Sequence, residues 1–471
     1  MARPTLLALR RAAAVTVLGA LVATPFALPE ASVADPARSA ATRTAEKAAN
    51  PVTPGDFTGY GFDQCHTPDQ ATMDTWWRNS PFTAIGIYIS GKSRACRDQP
   101  NLTADWISTQ LATGWRLLPI TLGPQASCQP RFPRYDDDVR IKSAPGKDGT
   151  YTAAVKMGRT EAETTVIDAQ TLGIVEGSTL WYDLEGFDAT DTDCRESALS
   201  FLSGWTSRLH KLGYVAGVYS SAGSGIRELD KARVERPGRF NLPDRIWVAR
   251  WDGVANTSTS YIAEDGWRPG NRVKQYQGGH DETWGGVRIN IDSNFLDLGA
   301  GSVATPEPAH CGETRVNFPN YQPIKPAYQR KGETVTPDPD QVSALQCLLK
   351  EAGLYKGPVD GAYDEPVQEA AAAWQRKRDI EVTPVWWRPT WMSLLATGPR
   401  EVLKFGSTGN GVRRVQRALN AATTESKVVV TGVFNAGTER ALTSWQSKVD
   451  LPVTGVVNAD TWKALVTGLR P

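Results

Sequence analysis

Eight short runs of apolar and β-branched residues lie between residues 56 and 300, and most are separated by polar segments long enough to form a helix. Strands that alternate with helical segments favour a parallel sheet, because parallel neighbours need a long crossover. Eight such strands in about 245 residues predict a closed (β/α)8 barrel of the TIM type. The runs occupy residues 58–62, 84–89, 115–122, 179–184, 214–220, 245–250, 272–277 and 289–296.

The segments between these runs support the barrel. Residues 159–173 and 195–213 are typical of amphipathic crossover helices that end at Gly173 and Gly213. Residues 129–158 form a long insertion between the third and fourth strands. In a TIM-type barrel such loops lie at the active face, so we expect the insertion to overhang the site.

A paired motif closes the fourth strand. Asp183 and Glu185 are two residues apart, and the two-residue period of a strand directs both side chains to the same side of the sheet. Glycosidic cleavage uses such a pair, with one carboxyl protonated to release the leaving oxygen and the other ionised to stabilise positive charge. Repulsion between neighbouring carboxylates raises one pKa, which keeps an acid available near neutral pH.

Polar and aromatic residues at the other strand ends complete a predicted substrate pocket. Since functional residues of such barrels collect where the strands end, we expect these side chains to surround the carboxylate pair. They are Asp63, Tyr219, Trp251, Gln275, Tyr276, Asp292 and Asn294.

These residues resemble a known family. The motifs are GFD at 61–63, YDLEG at 182–186, GVYSSAGSGI at 217–226 and GGVRINIDSNFL at 285–296. They are similar to the glycoside-hydrolase-like barrels of secreted actinobacterial proteins, a domain family distantly similar to the family-25 lysozymes. The resemblance covers residues 56–300 and implies that Glu185 is the general acid and Asp183 the stabilising carboxylate, with Asp63 and Asp292 as pocket acids. In the lysozymes the N-acetyl group of the substrate is thought to assist, so Asp183 need not act as a covalent nucleophile.

The C-terminal part nearly repeats itself at an offset of 71 residues. Trp374-Gln375 aligns with Trp445-Gln446, and Thr390-Trp391 aligns with Thr461-Trp462. This spacing predicts two small all-α three-helix units, 340–398 and 404–471, which follow a Pro-rich linker at 301–339. The motifs VRRVQRALN and LPVTGVVNADTW resemble peptidoglycan-binding domains. Four tryptophans remain candidates for sugar stacking: Trp251, Trp284, Trp386 and Trp387.

The N-terminus predicts export. Arg3, Arg10 and Arg11 precede an apolar run over 12–28, which is typical of a signal peptide at 1–34 cleaved after Ala34. A membrane anchor is disfavoured because the run is short and contains Pro25. Residues 35–55 are expected to be a flexible tether, and the choice between Sec and twin-arginine export stays open. We therefore expect a secreted protein, extracellular or associated with the cell wall, with no membrane span.

Export makes the six cysteines candidates for disulfides. Their positions divide them into Cys311 with Cys347 and a group of four, Cys65, Cys96, Cys128 and Cys194. We predict a Cys311–Cys347 bond, and the pairing of the other four stays open.

Several functions are disfavoured by composition. The 52 basic and 51 acidic residues leave a formal charge of +1, so no nucleic-acid partner is expected. The four histidines lack zinc spacing, and neither a C-x-x-C pair nor a G-x-S-x-G motif is present. We therefore expect no metal and no cofactor. The sequence favours a monomeric wall-glycan hydrolase that recognises peptidoglycan or another cell-wall glycan. The alternative is a wall-glycan-binding protein whose barrel is not catalytic.

Overall fold

A closed barrel of eight strands forms the N-terminal part of the chain. The computed structural model describes residues 49–423 and 427–470, so the expected signal peptide and most of the tether lie outside the described residues. The strands are hydrogen-bonded in chain order and the eighth closes onto the first, which confirms the predicted barrel. They are β1 (Phe57–Asp63), β2 (Ala84–Ser90), β3 (Arg116–Thr121), β4 (Thr179–Leu184), β5 (Val215–Ser221), β6 (Arg245–Ala249), β7 (Asn271–Trp284) and β8 (Val287–Leu298).

The last two strands depart from a complete (β/α)8 pattern. β8 pairs antiparallel with both β7 and β1. Gly285 and Gly286 join β7 to β8 with φ of 58° and 84°, and a two-residue hairpin turn of type I′ needs positive φ at both positions. Because this turn replaces a crossover, no helix follows β7 to cover the outer face of β8.

Five α-helices of the described residues surround the first part of the barrel. The predicted helices α3 and α4 are present, and Gly173 and Gly213 follow them with positive φ, as glycine commonly does after a helix. They pack unusually close, because a Cβ at Gly158 would lie 2.0 Å from the Phe201 carbonyl oxygen. The five helices are α1 (Gln70–Asn79), α2 (Ala104–Thr113), α3 (Thr152–Thr171), α4 (Thr192–Lys211) and α5 (Arg227–Glu235).

The last residues of the expected tether are packed against the barrel. Thr53 is buried and its hydroxyl donates to the Leu117 carbonyl at 2.8 Å. Its backbone carbonyl accepts from the Thr179 N–H at 2.9 Å. The described end of this segment therefore joins the starts of β3 and β4, at the face of the barrel opposite the carboxylates.

Six helices form the two C-terminal repeats. The first repeat contains α6 (Pro339–Glu351), α7 (Glu365–Lys377) and α8 (Arg388–Leu395). The second contains α9 (Asn410–Ala422), α10 (Ala436–Lys448) and α11 (Ala459–Val466). Gln346 of the first accepts from the N–H of Gly361, and Gln416 of the second accepts in the same way from Gly432. Both glycines have φ near 77°, so the two repeats are alike even in individual hydrogen bonds.

The Pro-rich segment 301–339 differs from the linker expected from its composition. Val316, Phe318, Tyr321 and Ile324 are buried in the same apolar core as both repeats. Ile324 also pairs with Trp386 through two backbone hydrogen bonds. A short hairpin of β9 (Tyr328–Arg330) and β10 (Glu333–Val335) follows. The first repeat therefore begins before residue 340. The sequence did not indicate this, because the four core residues lie among many polar ones.

Three disulfides use all six cysteines. Cys311 pairs with Cys347, the bond expected from the sequence. The four remaining cysteines form Cys65–Cys96 and Cys128–Cys194. The second of these joins the loop between β3 and the insertion to α4.

The second repeat covers the wall of the barrel that lacks a crossover helix. Phe405 packs against Tyr60 of β1 and Phe295 of β8, with ring centroids 5.1 and 5.9 Å apart. Beside it, Lys404 is almost completely buried and donates from Nζ to the carbonyl oxygens of Trp77, Ser80 and Phe82. These contacts occupy the place that helices take in a complete (β/α)8 barrel.

No helix among the described residues has the length and apolar character needed to traverse a bilayer.

Candidate active site

Four carboxyl groups meet at the mouth of the barrel. Asp63 ends β1, Asp183 lies in β4, and Glu185 follows β4. Asp292 of β8 is directly opposite Asp63 in the register of the two strands. The antiparallel direction of β8 thus brings a residue from the middle of that strand to the same mouth.

An amide side chain organises two of these acids. Gln275 Nε2 donates to Asp63 Oδ2 at 3.2 Å and to Asp292 Oδ2 at 3.0 Å. Its Oε1 accepts from the Tyr219 hydroxyl and from Trp251 Nε1, both at 2.9 Å. Gln275 therefore fixes an aromatic residue of the rim and a tyrosine of the wall against the acids.

Asn294 is a second support for Asp63. Its Nδ2 donates to Asp63 Oδ2 at 2.7 Å, and its Oδ1 accepts from Trp247 Nε1 at 2.8 Å. Asn294 is completely buried, so its role is to position Asp63 rather than to contact a sugar.

Burial and mutual repulsion raise the pKa of the acids in the barrel interior. The pKa of Asp63 is raised to about 7, mainly by burial and then by Asp292. The pKa of Asp183 is raised well above its ordinary value by burial, then by Glu185 and Asp63. These causes favour retention of a proton at the floor of the site near neutral pH.

Asp183 is the least accessible member of this cluster. It is 2% exposed, its Oδ2 accepts from the Tyr88 hydroxyl at 3.3 Å, and its Oδ1 has no hydrogen-bond partner. The cavity beside it is only about 10 Å³ and is lined by Asp63, Tyr88, Tyr219 and Trp247, among others. A sugar ring cannot enter this cavity without movement of its aromatic walls.

Glu185 faces more open space. It is partly exposed and lines a depression of about 590 Å³ together with Tyr219 and Trp251. Gln125 holds this part of the chain: its Nε2 donates to the Asp183 carbonyl at 2.8 Å, and its Oε1 accepts from the Glu185 N–H at 2.9 Å. The backbone at the D-x-E motif is therefore fixed by a residue that follows β3.

A second depression lies on the other side of the acids. It has a volume of about 680 Å³ and is lined by Asp63, His66, Asn101 and Asp292, among others. Asp63 and Tyr219 each line the small floor cavity and one of the two depressions. A linear polymer laid across the mouth would thus have room on both sides of the carboxylates.

The insertion after β3 contributes to the first depression, as expected from its position. Gln129, Pro130 and Arg131 form part of the lining next to Glu185. Gln129 Nε2 also donates to the Gly186 carbonyl.

One predicted pocket residue lies elsewhere. Tyr276 follows Gln275 directly, so strand alternation places it on the outer face of the barrel. There it interacts with Ser293 and with Glu439 of the second repeat. The prediction that both Gln275 and Tyr276 line the pocket was wrong because neighbouring strand residues face opposite sides.

The four tryptophans predicted as candidates for sugar stacking fall into two groups, exposed and packed. Trp251 is 67% exposed at the rim and Trp387 is 45% exposed in the first repeat, whereas Trp386 is completely buried. Trp284 packs against the main barrel core and donates from Nε1 to Glu282. Trp386 and Trp284 are therefore packing residues.

Three site residues were missed in the sequence: Tyr88, Gln125 and Trp247. Tyr88 and Trp247 could have been found by applying the two-residue period to β2 and β6, because both face inward from strands that were recognised. Gln125 lies in an irregular loop, and nothing in its local sequence indicates its contacts.

A possible cation cluster outside the barrel does not supply three free ligands. His310, Cys347 and Glu351 approach one another, but Cys347 is in a disulfide. Its sulfur is thus not available as a thiolate ligand.

Comparison with protein families gave two matches. Residues 75–296 match the model of the Rv2525c-like, glycoside hydrolase-like domain. Residues 338–392 and 408–465 each match the model "Putative peptidoglycan binding domain". Both suspected resemblances are thereby confirmed. No curated protein matched the chain.

Three solved structures illustrate the range of structural matches. The Mycobacterium tuberculosis Tat-secreted protein Rv2525c in complex with L-tartrate is 12% identical, with a TM-score of 0.34 and coverage of 51% of this chain and 96% of that chain. An uncharacterized B. stearothermophilus protein is 18% identical, with a TM-score of 0.31 and coverage of 50% and 95%. The modular autolysin LytC from Streptococcus pneumoniae is 13% identical, with a TM-score of 0.31 and coverage of 50% and 46%. This match therefore spans less than half of LytC.

Proposed function

We propose that this chain, a glycoside-hydrolase-like barrel joined to two peptidoglycan-binding repeats, is a secreted hydrolase of peptidoglycan or a related wall glycan. The observation that carries the proposal is the position of Glu185 in an open depression with Tyr219 and Trp251. A carboxyl, a hydroxyl and an exposed indole are the groups needed to bind a sugar ring and protonate its leaving oxygen.

In this mechanism Glu185 is the general acid and Asp183 stabilises the positive charge that develops at the sugar carbon. For its role Asp183 must be ionised, although burial raises its pKa. Rising pH therefore favours the stabilising role of Asp183. We expect the rate to increase with pH over the range in which Asp183 loses its proton.

Asp63 and Asp292 complete the pocket from the second depression. Gln275 holds both carboxyls through its Nε2, so we assign them to substrate binding rather than to proton transfer. Trp251 at the rim offers an indole face to a sugar ring, since its Nε1 is already satisfied by Gln275.

A second candidate function is wall-glycan binding without turnover. The sealed position of Asp183 favours it, because the floor cavity is only about 10 Å³ and the residue is 2% exposed. In this case the depressions on both sides of the acids would hold a glycan strand, and the repeats would strengthen binding through a second contact.

Incubation of the purified protein with sacculi and other wall glycans, followed by mass spectrometry of the soluble products, tests the proposal. The wild-type protein should release fragments with new reducing ends. Glu185→Gln removes the proton but keeps the size of the side chain, so turnover should fall by about 10²- to 10⁴-fold.

The same assay separates the two functions. Equal release by wild type and Glu185→Gln would refute the assigned acid. Absence of new reducing ends, together with co-sedimentation of the protein with sacculi, would refute hydrolysis and support the binding protein.

A further inference from the structure

The two repeats can be compared position by position. Ile324 pairs with Trp386 in the first repeat, and Leu403 pairs with Val457 in the second. Lys325 of the first repeat therefore corresponds to Lys404 of the second, and Trp387 corresponds to Asn458. The 71-residue offset also relates Gln368 to Glu439.

In the second repeat this face is closed by the barrel. Lys404 Nζ reaches three backbone carbonyls of the barrel. Glu439 accepts from the Tyr60 hydroxyl at 3.5 Å, and Asn458 Nδ2 lies 3.5 Å from the Arg78 carbonyl oxygen. A polymer could reach these side chains only if the repeat left the barrel.

In the first repeat the corresponding face is open. Lys325 is exposed, and Trp387 keeps 45% of its surface exposed. The indole is held in place because its Nε1 donates to Thr383 Oγ1 at 3.2 Å.

A depression of about 390 Å³ lies beside this indole. Thr383, Trp387, Glu381 and Arg470 contribute to its lining. Glu381 can accept hydrogen bonds from sugar hydroxyls. Arg470 can donate to hydroxyl or carbonyl oxygens, although its Nε already donates to the Ala422 carbonyl. An aromatic face flanked by an acceptor and a donor matches a pyranose ring, which is apolar on its faces and polar at its edge.

Trp387 lies at the N-cap position of α8, where another residue would stabilise the start of the helix better. Asn458 begins α11 as an N-cap, and its side chain accepts from the Thr461 N–H. Trp387 occupies the same position before α8 and makes no side-chain cap. Asparagine is among the preferred N-cap residues, so the exposed tryptophan sacrifices local stability at a surface position. Such a departure from local preference is expected at functional sites.

We infer that the first repeat carries the free glycan site of this protein, with Trp387 as its stacking platform, and that the second repeat serves as a covering element of the barrel. The inference rests on the proposed recognition of wall glycan and assigns that recognition to one repeat. Its ligand class is a pyranose unit of a polymer strand.

Substitution at the two corresponding positions gives a matched test in the full chain. Trp387→Asn introduces the residue of the second repeat, and Asn458→Ser changes the covered position while keeping an N-cap. Both are made in a Glu185→Gln background, so that sacculi stay intact during co-sedimentation. Trp387→Asn should weaken binding to sacculi by about ten-fold or more, as loss of an aromatic anchor does, whereas Asn458→Ser should bind like its parent.

Thermal unfolding excludes a trivial explanation. Asparagine supplies a cap, but the substitution also removes the covered half of the indole and its hydrogen bond to Thr383. The unfolding temperature of each variant is therefore measured, and binding is compared at a temperature at which both variants and their parent are folded. Weaker binding by a folded Trp387→Asn variant would support the site.

The remaining outcomes are distinct. If the parent chain itself does not sediment with sacculi, the proposed wall-glycan recognition fails and the inference fails with it. If the parent sediments and Trp387→Asn sediments equally well, the inference alone is overturned. A loss of sedimentation with Asn458→Ser would overturn the assignment of the second repeat as a covering element.

Discussion

Replacement of Lys404 by methionine tests how the second repeat is held on the barrel. Lys404 is 1% exposed, and its ammonium lies over the rings of Trp77 and Trp115 at 4.3 and 5.3 Å from their centroids. Methionine keeps most of the aliphatic volume but removes the charge and the three N–H donors. The variant therefore isolates the polar part of this contact.

The three acceptors explain why the loss should be large. Ser80 O and Phe82 O lie 3.0 and 2.7 Å from Nζ, and Trp77 O lies 2.8 Å away. The Trp77 carbonyl has no helical donor, because the residue four positions later is Pro81, which lacks an N–H. A buried carbonyl without a donor costs about 1 kcal/mol or more, so three of them predict a loss of about 3 kcal/mol.

An opposing effect must be weighed against this loss. Burial lowers the pKa of Lys404 well below its ordinary value, which shows that desolvation of the ammonium is unfavourable. Replacement of both partners of a buried hydrogen bond by apolar groups can be nearly neutral, whereas removal of one partner leaves the other without a hydrogen bond at a cost of about 1–3 kcal/mol. Lys404→Met removes only one partner, so we expect the cost of the unpaired carbonyls to exceed the gain from no longer burying the ammonium.

Urea unfolding, followed by tryptophan fluorescence, measures the effect. Trp77 and Trp115 adjoin the substituted side chain and therefore report on this contact. Lys325→Met in the first repeat is the matched control, because Lys325 is exposed at the corresponding position. Its effect should stay within about 0.5 kcal/mol, as is usual for surface substitutions.

A Lys404→Met variant as stable as the wild type, or more stable, would refute this reasoning. The ammonium would then be tolerated rather than required, and apolar packing of Phe405 on Tyr60 and Phe295 would suffice to hold the repeat.

Two further outcomes concern the barrel acids and the repeat disulfide. The pKa of Asp63 is about 7 in the folded chain against about 4 in an unfolded one, so the folded state binds more protons in this range and stability falls as the pH rises from about 4 to about 7. Asp63→Asn should flatten this decline, and unfolding of both proteins at several pH values measures it; an equally steep decline in the variant would contradict the assignment. Joint replacement of Cys311 and Cys347 by serine opens a 36-residue separation, and loop entropy predicts a loss of about 4 kcal/mol. Urea unfolding under non-reducing conditions checks this value, and an unchanged midpoint would show that the disulfide contributes no stability.

Much of the barrel could be predicted because its strands are buried and apolar. All eight predicted runs are strands, and β4 has the predicted bounds. The direction of β8 could not be read from apolar runs, which carry no information on direction. The Gly285-Gly286 pair did carry that information, since two glycines between strands are a signal of a hairpin turn.

The acidic residues of the site could be predicted from the sequence, but some of the residues that surround them could not. Asp63, Asp183 and Glu185 could be found because each lies at or near the end of an apolar run, where barrel strands place functional groups. Asp292 lies within the eighth run and was found as the acidic residue of that run. The contacts of Gln125 depend on the path of a loop, which local sequence does not specify. Burial also could not be foreseen, although it is the largest cause of the raised pKa of Asp183.

The covering of the barrel wall by Phe405 has a consequence for the way this chain can change over generations. Two copies of a duplicated unit begin with the same sequence, but a copy that packs on the barrel must keep a surface that matches Tyr60 and Phe295. We expect substitutions at these three positions to appear together among descendants, whereas the exposed face around Lys325 is under no such constraint from the barrel. After the duplication, the sequence of one copy would thus be constrained by the barrel surface that it covers, and the sequence of the other copy would not.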